Sequence, residues 1–104
     1  MKFEEQAGDL AKFLKTFAHT GRLLILNHLK SGELSVGELE TLLDLRQATV
    51  SQMLARLRDE GLVDTRRDGK AIYYSLADDR SKDLLELLNR FSSAQKNTAY
   101  RQSV

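Results

Sequence analysis

Gln47, Ser51 and Gln52 stand at i, i+4 and i+5 in a stretch with helical periodicity. Their amides and hydroxyl are groups that read base-pair edges. An amide pairs bidentately with adenine, a short hydroxyl suits several edges, and alanines such as Ala48 and Ala55 let a helix approach closely. Thr49 adds a hydroxyl near the start of the stretch, and Arg56 a guanidinium toward its end. Further along, Arg66, Arg67 and Lys70 cluster around Asp68-Gly69. Cations grouped in this way neutralise phosphates. A charged hairpin tip can equally do no more than protect an edge strand, so its meaning depends on what precedes it.

Other chemistries are excluded or unsupported. The 104 residues contain no cysteine, which removes disulfides, thiolate nucleophiles, Fe–S clusters, cysteine-ligated zinc and thiol redox sensing together. His19 and His28 are the only histidines. A metal site needs three or four ligands, so His19 is read as a helix cap and His28 as filling a partly buried polar spot beside Asn27. No nucleophile triad, phosphate-binding glycine loop or histidine pair beside carboxylates is present, so no enzyme, cofactor or metal is expected. Alternation puts Tyr73 and Tyr74 on opposite faces of a strand, Tyr74 inward and Tyr73 at the surface. With 16 Lys+Arg against 15 Asp+Glu the net charge is +1, and a nucleic-acid partner has to be argued from where the charges sit. From Arg46 to Lys70 there are six basic and four acidic residues, after a segment carrying Glu38, Glu40 and Asp44. No apolar run approaches the ~20 residues that span a bilayer. Met1–Leu10 has no signal-peptide core, so a cytoplasmic protein with no membrane partner is expected.

The elements that must hold these side chains follow from periodicity. Leu10, Phe13, Leu14 and Phe17 form one stripe of a helix over about Phe3 to Phe17. Arg22 to Lys30 is apolar almost all round and reads as a central core helix stopped near Gly32. Ser35-Val36-Gly37-Glu38 is a capping box flanked by Leu34 and Leu39 as a staple, opening a short helix. After Asp44-Leu45 a longer helix runs from about Arg46 to Glu60, with Val50, Leu54 and Leu57 inward and Gly61 as its stop. Leu62–Arg67 and Lys70–Leu76 alternate as strands about a two-residue Asp68-Gly69 turn of type I′. That register sets Arg67 against Lys70, Thr65 against Ile72 and Val63 against Tyr74. Asp78 or Asp79 caps a last helix with Leu84, Leu85, Leu87, Leu88 and Phe91 on one side. The class is mostly α with a small β-hairpin, in the order helix, helix, short helix, longer helix, strand, strand, helix. That is a winged helix-turn-helix, whose longer helix enters the major groove. Residues 1–93 are expected to form this domain and 94–104 a frayed polar tail. A chain of this size buries little more than ~60% of its unfolded surface, so a second copy would add stability.

The runs Leu34 to Leu39, Arg46 to Arg58, Glu60 to Val63 and Gly69 to Leu76 resemble the ArsR/SmtB family of dimeric bacterial repressors, over about Leu10 to Phe91. The resemblance implies a winged-helix homodimer built from the first and last helices, with Leu10, Phe13, Leu14, Phe17, Leu84, Leu87, Leu88 and Phe91 at the interface. It places DNA contacts on Gln47, Ala48, Ser51 and Gln52 and the wing at Arg66 to Lys70. The thiolate metal site of some members is absent, since Ser35 and Gly37 lie in the matching helix, and the last helix lacks histidine. Similarity is greatest to the sulfur- and redox-sensing BigR/SqrR-like branch, whose two cysteines are matched here by Asn27 and Ser92. A thiol switch cannot operate with these residues.

The function expected is a homodimeric repressor on an inverted-repeat operator, its recognition helices entering successive major grooves about 34 Å apart. It would be released by an unidentified non-thiol signal, with a small molecule, a metal on carboxylates and no inducer all left open. The alternative is a winged-helix interaction module that pairs with another regulator. Such a surface would more often expose aromatic or aliphatic side chains where the Arg46–Glu60 helix carries amides and hydroxyls.

Overall fold

The computed structural model describes residues 2–98, with side chains through residue 93. Helices α1 (Phe3–Phe17) and α2 (Thr20–Leu29) lead into strand β1 (Leu34–Ser35) and the short helix α3 (Val36–Leu43). Helix α4 (Gln47–Asp59), strands β2 (Val63–Asp68) and β3 (Ala71–Leu76) and helix α5 (Asp79–Thr98) follow. This is the expected winged helix-turn-helix, with one added element. Strand β1 pairs antiparallel with β3, giving a three-stranded sheet of order β1-β3-β2. Two residues are too few to show alternation, so Leu34 and Ser35 stand out in the sequence only as staple and cap.

The core forms where the stripes meet. Ile25 and Leu26 of α2, Leu39 of α3 and Val50, Leu54 and Leu57 of α4 have no exposed surface, and Leu85 of α5, Phe17, Leu29, Leu62 and Val63 join them. Burying one such leucine contributes about 1.5–3 kcal/mol, so the inner side of α4 is firmly anchored. Helix α2 is less central than its all-round apolar run predicts. Leu24 points to solvent, because only part of the helix circumference meets α3, α4 and α5.

Local signals fix the ends of α4, and therefore its direction. The capping box at α3 is complete: the Glu38 amide donates to Ser35 Oγ at 3.1 Å and the Ser35 amide to Glu38 Oε1 at 2.8 Å. Helix α3 ends at Asp44 in the left-handed region (φ 54, ψ 47), a conformation that a short polar side chain tolerates, and the chain turns directly into α4. At the far end the Gly61 amide donates to the Arg58 carbonyl and the Leu62 amide to the Leu57 carbonyl, both at 2.9 Å. This is a Schellman motif, with Gly61 at φ 77. Leu62 packs back on the core and aims the chain into β2.

The hairpin register differs from the expected one by two residues. Asp68 pairs with Ala71, Arg67 with Ile72, Thr65 with Tyr74 and Val63 with Leu76. A type I′ loop at Asp68-Gly69 needs positive φ at both positions, but Asp68 remains in the strand and only Gly69 takes it (φ 64). The loop is Gly69-Lys70, the glycine-first pattern of type II′. A slip of two keeps every side chain on its original face, so Val63, Tyr74 and Leu76 still face the core while Tyr73 lies on the other side.

Asp78 settles the last cap, its Oδ1 accepting from the Ser81 amide at 3.2 Å. Helix α5 then continues through Thr98, into the segment expected to fray, and residues 99–104 lie outside the described residues. His19 caps α2, its Nδ1 accepting from the Arg22 amide at 3.4 Å.

Candidate nucleic-acid interface

Seated on Val50, Leu54 and Leu57, helix α4 turns its other side to solvent. Gln47, Ala48, Thr49, Ser51, Gln52 and Arg56 are all exposed, and Ala55 is half-buried beside them. The 3.6-residue repeat brings Ala48, Ser51, Gln52 and Ala55 onto one face, with Gln47 at its N-terminal end. At the N-terminus Arg46 makes no side-chain cap and the first turn carries no acid. Its free amides and positive dipole end therefore favour an anion such as a phosphate.

The cations divide into two kinds. Arg56 Nε donates to Glu60 Oε2 at 2.7 Å, and Glu60 also accepts from the Thr16 hydroxyl. The Thr16 carbonyl in turn accepts from Arg22 Nε at 3.0 Å. The Arg56 guanidinium, then the Thr16 hydroxyl, hold the Glu60 carboxyl below its usual range. Arg66 forms a second pair, with Glu33 in the turn before β1, which likewise lowers the Glu33 carboxyl. Arg67 and Lys70 are exposed, and among the described residues no carboxylate pairs with either. The sequence identifies Arg56 and Arg66 as candidate contacts, and their two partners differ in how readily they can be found. Glu60 is visible in the sequence as an i+4 partner of Arg56. Glu33 comes near the wing only through the β1–β3 pairing that the pattern does not predict.

Helices α1 and α5 carry an apolar face. Leu14, Leu87 and Phe91 are 51%, 53% and 64% exposed. Leu10, Phe13, Leu84 and Leu88 are half-buried, and Phe17 is taken into the protomer's own core. Helices α1 and α5 meet where the Arg80 guanidinium covers the Phe13 ring at 4.4 Å. Asn89 of α5 donates to Asn27 Oδ1 at 2.7 Å, so Asn27 bridges two helices, while Ser92 is exposed. Among the described residues no three His, Asp or Glu side chains come together to hold a metal ion, and no helix is long and apolar enough to cross a membrane.

A helix-turn-helix with an exposed polar recognition helix and a β-ribbon wing defines a winged-helix DNA-binding regulator. Known proteins agree. Residues 19–65 match the model of the bacterial regulatory protein, arsR family. A biofilm growth-associated repressor of Agrobacterium fabrum is 52% identical over 85 residues, covering 82% of this chain and 73% of that protein. The crystal structure of the transcriptional repressor BigR from Xylella fastidiosa superposes with a TM-score of 0.82 at 40% identity, over 86% of this chain and 91% of that one. Reduced HlyU from Vibrio cholerae gives 0.81 at 42% identity, over 86% and 94%. The chain belongs to the arsR family of bacterial regulatory proteins; it is a DNA-binding transcriptional regulator and not an enzyme.

Proposed function

We propose that the protein is a homodimeric, sequence-specific repressor of an inverted-repeat operator, located in the cytoplasm. The observation that carries the reading is the division of α4, with a fully buried aliphatic spine on one side and an exposed face of amides, hydroxyls and small methyls on the other. In this reading Gln47, Ala48, Thr49, Ser51 and Gln52 face base edges, with Arg56 at the C-terminal limit of the contact. The wing residues Arg66, Arg67 and Lys70 lie along the backbone, where charge neutralisation, chiefly by the unpaired Arg67 and Lys70, adds affinity without sequence preference. The exposed leucines and Phe91 of α1 and α5 supply the face for a second copy, which spaces two recognition helices one helical turn apart. Repressors among its relatives support the direction of regulation.

Release from DNA is assigned to a non-thiol signal. No cysteine exists to react, and Asn27, at one position that the resemblance matches to a sensing cysteine, is committed to a hydrogen bond with Asn89. Titration with the duplex upstream of its own gene tests the reading. A discrete complex is expected at 50 mM salt, weakening on the order of 10³–10⁵-fold by 200 mM if ~6–10 phosphates are neutralised. Absence of any discrete complex at low salt would refute it.

A further inference from the structure

The wing arginines differ in a way their adjacency conceals. Arg66 and Arg67 are consecutive in β2 and so project from opposite faces of the ribbon. Arg67 shares the face of Val63 and Tyr74 near the tip. Arg66 lies on the outer face, in a row that crosses all three strands: Arg66 pairs with Tyr73, and Tyr73 with Ser35. Its guanidinium sits 4.9 Å above the centre of the Tyr73 ring and ends on Glu33, two residues before Ser35. Two nitrogens of one guanidinium edge donate to the same carboxylate, Nε to Oε2 at 3.2 Å and Nη2 to Oε1 at 2.5 Å.

A bidentate fork of this kind is the geometry in which arginine takes a phosphate. The pair is also solvent-accessible, with 53% of the Arg66 side chain and 38% of that of Glu33 exposed. Exposed ion pairs contribute little to folding stability, so the bridge is a poor strut. It is an effective competitor for any anion brought to the wing. If Arg66 moves to a DNA phosphate, Glu33 is left uncompensated within the negative field of the duplex, which offsets the new contact.

Resting on the DNA-binding reading above, we propose that Glu33 is a built-in competitor for the DNA backbone: it occupies the Arg66 fork that a phosphate would otherwise fill. The wing then neutralises phosphate through Arg67 and Lys70, and the affinity of the wild-type chain is set lower than its count of cations implies.

Backbone contacts are independent of sequence, so the test needs no known operator. Wild type, Glu33→Gln, Arg66→Ala and the double variant are titrated by anisotropy with a random-sequence 30-base-pair duplex between 50 and 200 mM salt. Thermal melts followed by circular dichroism confirm folding of each. Glu33→Gln is expected to bind more tightly at low salt. Its salt slope should steepen by about 0.9 per wing, an additional ~3–4-fold loss of affinity per wing across that range. In the Arg66→Ala background the same change should gain clearly less and leave the salt slope unsteepened, because only relief of the unpaired Glu33 charge remains and no guanidinium is freed for a phosphate. Equal or weaker binding by Glu33→Gln overturns the proposal and makes the bridge a strut for the wing. An undiminished gain with the same steepened slope in the absence of Arg66 also overturns it, as an effect of charge alone. If wild type fails to bind any duplex, the DNA-binding reading itself falls, whereas wild-type binding with an unchanged Glu33→Gln slope removes only the competitor.

Discussion

The outer face of α4 and the outer face of α1 and α5 are both open to solvent in the single chain, yet they are built from opposite chemistry. The first shows Gln47, Ser51 and Gln52, side chains at ease in water and on a wet, polar duplex groove. The second shows Leu14, Leu87 and Phe91, each more than half exposed, which is the composition of a surface completed by a partner of like character. One face is suited to contacts that form and dissolve with salt, the other to a contact that persists. In the proposed dimer the two requirements fall on separate helices, so sequence preference could change without altering assembly.

Changes to the apolar face should have the largest effect. Leu87→Asp is expected to give a folded monomer in sedimentation, since Leu87 is not needed in the protomer core. Operator affinity should fall on the order of 10²–10⁴-fold, because two half-sites are no longer held by one linked unit. A variant that remains dimeric with unchanged affinity would remove this face from the interface. Arg67→Ala, at the edge of the polar surface, should weaken binding to all duplexes about equally and reduce the salt slope by about 1 per wing. A loss confined to one sequence would make Arg67 a base reader instead.

A smaller effect is expected where α1 joins the end of α4. The pairing with Arg56 and Thr16 lowers the Glu60 pKa beneath its ordinary value of 4.5. A depressed carboxyl contributes stability that is complete above the unfolded value and is lost as pH falls through the lower folded value. The Glu60 side chain is still partly solvent-exposed and its Arg56 partner mostly so, which keeps the contribution at neutral pH below about 1 kcal/mol. Urea melts at pH 7 and in the acid region below 4.5 should show a shallower decline for Glu60→Gln than for wild type. Parallel declines would mean that Glu60 does not link the two helices.

Much of this arrangement was legible in the sequence, for reasons visible in particular residues. The spacing of Val50, Leu54 and Leu57 places the spine of α4, and what is not spine must face out, so Gln47, Ser51 and Gln52 follow by subtraction. Capping box and Gly61 mark helix ends through local hydrogen bonds that a linear pattern records. The hairpin register was less accessible, because Asp68-Gly69 and Gly69-Lys70 are both acceptable turns and differ only in which residue adopts positive φ. Strand β1 and the Glu33–Arg66 bridge it permits were not legible, since 33 residues separate the partners and neither carries a local signal for the other.

The account rests on the polar face of α4 reading bases, and one comparison tests it most directly. A preferred duplex is selected from a random pool with wild type, and its affinity is measured against a scrambled duplex for wild type and for the Gln47→Ala, Ser51→Ala, Gln52→Ala triple variant. Wild type should prefer the selected duplex by roughly 10³-fold or more at physiological salt. The triple variant should lose most of that preference while binding the scrambled duplex as wild type does. A preference that survives the three substitutions intact would contradict the assignment of this face.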